Sequence, residues 1–309
     1  MNNTVVDTTL FQINFISTAI LTSIGLVGNP LVIYVFTRPQ FIKVSMFRYL
    51  IASTIANLLN LLVNWPTVFP DAFLVNEVSF NCKIFYYLFY IPYQISPWIL
   101  TLSSIDRYMS VKYPTTLQFR NEFKFQLMAI IGITIFICLA NIPIYLFMDI
   151  EVGLGCVPIN SSIQFYLDLT NALLGTLIPF VIMLVTACLI WHQFIEKRTA
   201  LQQNSISKYK KEIKFIKTLF IINAYFLICY LPAIIYMLVY DIEKINPYGT
   251  FGFSILLAIT SVFSACDFFV YFIFNKLFRR YIFSTVNYCR NKDAKNKVTD
   301  LPLTTPESK

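Results

Sequence analysis

Seven long apolar runs dominate this 309-residue chain, at about residues 11–37, 47–69, 80–106, 125–148, 162–191, 214–240 and 250–274. Each is long enough to cross a hydrocarbon core as a helix, which takes roughly 20 residues. In lipid every backbone N–H and C=O needs an internal partner, so runs of this kind span as helices. Composition agrees, since 13% of residues are charged and mean hydropathy is +0.64, whereas soluble domains carry roughly 25% charged residues. So little polar surface cannot cover a water-facing globule of this length, which excludes a soluble enzyme or nucleic-acid binder. Pro66, Pro92, Pro97, Pro143, Pro179 and Pro232 fall inside the runs, where membrane helices tolerate them as kinks. Residues 1–10 show no basic n-region or cleavage site, so the first span is expected to act as its own insertion signal.

The connecting segments set the orientation. Segments 38–46, 107–124, 192–217 and 275–309, with Arg48 and Asp106 at helix ends, hold 22 of the 24 Lys and Arg against seven acids. The opposite segments hold only Lys83 and Lys244 against eight acids, and Asp267 is left within the seventh run. The positive-inside rule makes the basic side cytoplasmic, with the N-terminus outside and the C-terminus inside. The formal charge of +8 therefore reports sidedness rather than nucleic acid.

Two sequons, at Asn2 and Asn160, fall on the expected outer face as candidate glycosylation sites. Cys82 opens the third span on that face and Cys156 lies in the second outer loop. An oxidising compartment permits a disulfide between them, and two unpaired thiols are the alternative.

The third span ends Ser104-Ile105-Asp106-Arg107-Tyr108, with Pro114 eight residues after the aspartate. With the outer cysteine 25 positions before Arg107, this resembles the third helix of rhodopsin-like G-protein-coupled receptors. Other spans extend the resemblance over residues 11–290: Gly28-Asn29 in span one, Pro179 in span five, Phe226 and Cys229-Tyr230-Leu231-Pro232 in span six, and Asp267-Phe268-Phe269-Val270-Tyr271 in span seven. The chain departs from the pattern at Tyr230, where the family has tryptophan, and at Phe268, where it has proline, so span seven lacks the proline for the family's bend. Ala187 and Thr115 replace a tyrosine and a bulky apolar residue common in the family.

The resemblance implies an all-α membrane protein: a seven-transmembrane helix bundle over 11–274, a short amphipathic eighth helix over 275–290, a tail over 1–10 and a disordered cytoplasmic tail over 291–309. It implies G-protein coupling and an inner lock at Asp106, Arg107, Tyr108, Glu212 and Tyr271. Glu212 is read either as a lock partner of Arg107 or as one charge in a solvated stretch. Pro179, Phe226, Tyr230 and Pro232 are the expected helix switch. Cys289 resembles a palmitoylation site, with a plain thiol as the alternative. The tail carries Ser284, Thr285, Thr304, Thr305 and Ser308 for receptor kinases and arrestin.

Asn57 stands where the family has aspartate and Asp267 where it has asparagine. One intramembrane carboxylate among Asn29, Asn57, Ser96 and Ser264 points to a sodium or proton site, the alternative being a structural protonated hydrogen bond. No other cofactor and no metal cluster is expected. The outer half of span three presents Phe85, Tyr86, Tyr87, Phe89, Tyr90 and Tyr93, which with Tyr230 are expected to line a ligand pocket, Gln94 lying below. Phe89 replaces the aspartate of amine receptors, and Ser261 stands where visual pigments keep their lysine. An aromatic pocket under an acidic rim suits a short basic or amidated neuropeptide. Lipid and small chemosensory ligands remain the alternative, and a transporter or channel is the rival class. With one histidine and no glycine-rich phosphate loop, the chain has no material for common catalytic sites. The expected setting is the plasma membrane, with lipid, an extracellular peptide-like ligand and a heterotrimeric G protein as partners, and no nucleic acid.

Overall fold

The computed structural model describes residues 2–64, 75, 78–113, 122–151, 155–200, 206–242 and 251–285. All seven apolar runs are helical there. Span one is Asn2–Phe36, span two Ser45–Val63 and span three Ser79–Lys112. Span four is Phe123–Ala140 followed, across Asn141, by Ile142–Phe147. Span five is Ser161–Ala172, a π-helical turn Leu173–Leu177 and Ile178–Ala200, and span six is Ile206–Ile242. Span seven is Phe251–Ala265 and Asp267–Phe274, which meet at 56°.

The first helix already starts at Asn2, so helix takes in the residues assigned to a tail; no Gly or Pro interrupts residues 2–10, and extending a formed helix costs far less than nucleating one. Among the described residues, five helices are long and apolar enough to cross a membrane by themselves, and the bent pair of span seven makes a sixth if it is one span. Span three is absent from that set because it spends its length on polar side chains. It buries Gln94, Ser96, Thr101, Ser104, Asp106 and Arg107 at the centre of the bundle, against spans two, four, five and six. Span four is the reverse case: between Phe123 and Ala140 it buries only Gln126 and Ile137, and leaves Met128, Ile135 and Leu139 exposed. A helix apolar all round with few protein neighbours is a lipid-facing one.

One short sheet accompanies the helices. The connection between spans four and five forms an antiparallel hairpin, β1 Met148–Glu151 and β2 Gly155–Pro158, with Glu151 opposite Gly155. Gly155 has φ 78°, a conformation side chains other than glycine's rarely tolerate.

The amphipathic helix is present over 276–285. Asn275 starts it by accepting from the N–H groups of Leu277 and Phe278, both at 3.1 Å. Arg279 donates back to the carbonyls of Phe272 and Ile273 at the end of span seven. Phe278 is fully buried and anchors the helix among Phe36, Phe268 and Tyr271, whereas Leu277 and Phe283 are exposed as an apolar face suited to the membrane surface.

Candidate functional site

At one end of span three, Asp106 and Arg107 are buried, 2% and 5% exposed. Arg107 Nη2 lies 3.4 Å from Asp106 Oδ2 and donates to Ser45 Oγ at 2.6 Å. The Ser45 hydroxyl in turn donates to Asp106 Oδ2. Ser45 was not among the residues picked out from the sequence, and no local spacing relates it to Arg107. Two other members of the expected inner lock lie elsewhere. Tyr108 faces Lys112, whose Nζ donates to its hydroxyl at 3.0 Å. Tyr271 sits in the aromatic cluster, 4.9 Å from Phe36 by ring centroids. The Glu212 side chain lies outside the described residues, as do Thr115 and Cys289.

Mid-bundle, Asp267 is 6% exposed and accepts from Asn57 Nδ2 at 2.9 Å. Asn29 donates to the Ser264 carbonyl at 3.0 Å, and Asn60 to the Ser264 hydroxyl at 3.0 Å. Asn60 was missed, although it lies one turn after Asn57 and so on the same helix face. Ser96 departs from the expected group, its hydroxyl pairing with Ser53 at 2.8 Å. The Oδ1 atoms of Asn29, Asn57 and Asn60 are all buried without a hydrogen-bond partner, three acceptors that a donor or a cation would satisfy.

Span seven does bend, without the proline. Cys266 N–H bonds to Val262, Phe269 and Val270 bond back to Cys266, and the chain turns at Cys266 (φ −102°, ψ 12°). Asp267 thereby becomes the first residue of the helix Asp267–Phe274, where the N-terminal end of the dipole favours an acid. Gly28 accommodates the bend from span one, since a Cβ there would lie 3.1 Å from Phe268 Cβ. Tyr225 of span six donates to the Val262 carbonyl at 2.6 Å and ties the two spans at the same level.

At the opposite end, Cys82 and Cys156 form a disulfide. Ser79 donates to Asp149 Oδ1 at 2.7 Å, and Lys83 pairs with Oδ2 at 3.9 Å. The Ser79 hydrogen bond, with that of the Ile150 N–H, holds the exposed Asp149 carboxyl below its ordinary range. Disulfide and carboxylate together clasp the hairpin onto span three. Phe85, Tyr86 and Tyr90 pack against this cluster, and Phe89 lies against Phe85 and Tyr90 at 5.9 and 5.4 Å.

The expected pocket set divides in two. Tyr93 is stacked on Tyr230 at 4.8 Å, and Tyr230 packs on Phe226 and Phe263 with no exposed surface. These rings form a floor beneath the upper aromatics rather than a wall. Tyr87 turns away, donating to the Cys138 carbonyl of span four. Below the upper row, a buried amide network that sequence reading missed joins three spans: Gln94 donates to Asn171 at 3.1 Å and accepts from Asn141 at 2.8 Å. The π turn before Pro179 offers its Leu174 carbonyl to Trp98 Nε1 at 2.8 Å, and the Pro179 carbonyl accepts from Thr101 at 3.4 Å. Pro232 lies exposed within an unbroken helix. Nearer span one, a cleft is lined by Asn14, Ser17, Thr18, Asn64 and Ser261. Asn160 is exposed and caps span five, accepting from Ile163 N–H at 2.9 Å; Asn2 begins the first helix, its side chain outside the described residues.

The sequence model of a family described as 7 transmembrane receptor (rhodopsin family) matches residues 28–271. The chain belongs to this family. The match runs from Gly28 to Tyr271 and so takes in the Arg107 group, the Asp267 group and the disulfide of this rhodopsin-family receptor. Its relatives include the type-1 angiotensin II receptor of Ovis aries, 26% identical over 65% of this chain and 56% of the relative. The somatostatin receptor type 5 of Rattus norvegicus is 24% identical over 69% of this chain and 60% of the relative. The human type-1 angiotensin II receptor is 26% identical over 63% and 55%. The chain thus spans well under two thirds of the length of these relatives. The family is one of receptors rather than enzymes.

Proposed function

We propose that this rhodopsin-family receptor sits in the plasma membrane with its N-terminus outside, binds a short basic or amidated peptide at the Cys82 end, and activates a heterotrimeric G protein at the Arg107 end. The observation that carries this reading is the buried Asp106–Arg107–Ser45 group at one end of a helix whose other end is clamped to a hairpin by a disulfide. A buried guanidinium held by partners has two discrete arrangements, held and released, and ligand that prefers the released one shifts the population. Binding at the hairpin end bears on the Tyr93–Tyr230 stack, which continues through Phe226 and Phe263 to span seven. The relatives' names support the peptide class, since angiotensin II and somatostatin are both peptides. The excess of acid on the outer segments supports a cationic one. Phosphorylation of the tail and recruitment of arrestin would end the signal.

A second reading concerns the Asp267 group. Three acceptor oxygens without donors beside one buried carboxylate suit a monovalent cation, which would supply the positive charge that a buried carboxylate otherwise lacks. Asp267, Asn29, Asn57 and Asn60 would hold it, tying spans one and two to the lower half of span seven. A proton on Asp267 is the competing way to remove the charge.

The test is a cell assay of G-protein recruitment against a library of peptides, lipids and volatile compounds. Activation by basic peptides, weakening as ionic strength rises, is the expected result. Activation by lipids or volatile compounds alone would contradict the ligand class.

A further inference from the structure

We propose that Ser45 is a positioning residue that sets the resting activity of this receptor by holding Arg107. The idea rests on the reading of Arg107 as the group released toward the G protein, and adds what holds it. Its short contact is with Ser45 at 2.6 Å, not with the neighbouring Asp106 at 3.4 Å; the latter exceeds an ordinary N–H···O distance of roughly 2.7–3.2 Å. Ser45 Oγ accepts from the guanidinium and donates to the carboxylate, so one hydroxyl bridges both charges. It is 1% exposed, so bulk solvent does not compete for its hydroxyl.

The position of Ser45 gives the contact its consequence. Val44, immediately before it, is extended, and Ser45 is the first residue of span two. The next two residues, Met46 and Phe47, are buried in the cluster that also takes Phe36, Phe41, Tyr271 and Phe278. Phe36 stands 4.9 Å from both Phe47 and Tyr271. A shift of the lower half of span seven or of the amphipathic helix therefore bears on the turn that carries Ser45. Through Ser45 the hold on Arg107 depends on spans one, two and seven at once. Without its hydroxyl, Arg107 keeps only the long contact to Asp106 among the described residues, and the released arrangement gains population.

The test compares ligand-independent activity across a panel of Gα sensors, normalised to receptor number at the surface. Ser45→Ala should raise it roughly tenfold or more, the effect of one charge-assisted hydrogen bond on a two-state equilibrium. Ser45→Cys, which keeps the volume but offers a poor acceptor, should raise it as well, and Ser45→Thr should restore the resting level. A purely structural role would lower the thermal midpoint of Ser45→Ala while leaving activity per receptor unchanged. That outcome, with Arg107→Ala inactive, overturns the proposal alone. Full coupling by Arg107→Ala overturns the reading beneath it and the proposal together.

Discussion

Replacing Cys82 or Cys156 by serine is expected to remove most of the folded receptor from the cell surface. The bridge joins residues 74 apart in sequence, and closing a loop of that size removes roughly 4–5 kcal/mol of unfolded-chain entropy in the loop-entropy account. That is a large share of a stability of roughly 5–15 kcal/mol. The loss is also local. The hairpin would keep Ser79 and Lys83 on Asp149 as polar ties to span three, and so solvated an ion pair contributes little. Phe85, Tyr86 and Tyr90 would lose the surface they pack against. Surface labelling and thermal unfolding of the detergent-solubilised receptor measure both effects. The double variant should be no worse than either single one, since each already breaks the bridge. Wild-type surface number and midpoint in all three would contradict the clasp.

The second large effect is expected at the exchanged pair of span two and span seven. Asn57→Asp alone sets a second carboxylate against Asp267, where the present contact is 2.9 Å. Two buried carboxylates that close cannot both ionise, and an uncompensated buried charge costs roughly 3–5 kcal/mol. The single variant should fail to reach the surface in quantity. Combining it with Asp267→Asn returns one carboxylate and one amide to the same contact with the donor reversed, and surface expression should recover. Recovery identifies Asn57 and Asp267 as a functional pair. If the double variant expressed no better than Asn57→Asp, the pairing would not be what matters at this site. Sodium titration of thermal stability in wild type and Asp267→Asn then separates the cation from the proton, because only a bound cation gives a midpoint that rises with sodium and depends on the carboxylate.

The spans were legible because lipid imposes a length and a composition on anything that crosses it, and the disulfide because both cysteines lay on one side. Asp267 was legible because charge is rare in such runs, and Asp106 and Arg107 because the Asp-Arg-Tyr triplet closing span three resembles the family's. What escaped was set by helix rotation and by contacts between distant segments. Ser96 was grouped with Asp267, yet the rotation of span three turns its hydroxyl to Ser53. Tyr271 was grouped with Arg107, but Phe36 and Phe278 enclose it. The bend in span seven has no proline to announce it, because the helix breaks at Cys266 and Phe268 packs against Gly28 of span one. Ser45 and the Gln94–Asn141–Asn171 network are small polar residues in polar-tolerant positions, and only their partners distinguish them.

The central claim, that Arg107 carries activation to a G protein, is tested most directly by nucleotide exchange on purified heterotrimers. The receptor would be reconstituted in lipid vesicles and presented to a panel of Gα subunits, wild type beside Arg107→Ala. Wild-type receptor should accelerate exchange on at least one Gα, and Arg107→Ala should lose it by roughly a hundredfold per folded receptor, the worth of a buried charged partner of about 3 kcal/mol. Equal exchange by the two, or none by the wild type on any Gα, would contradict the account.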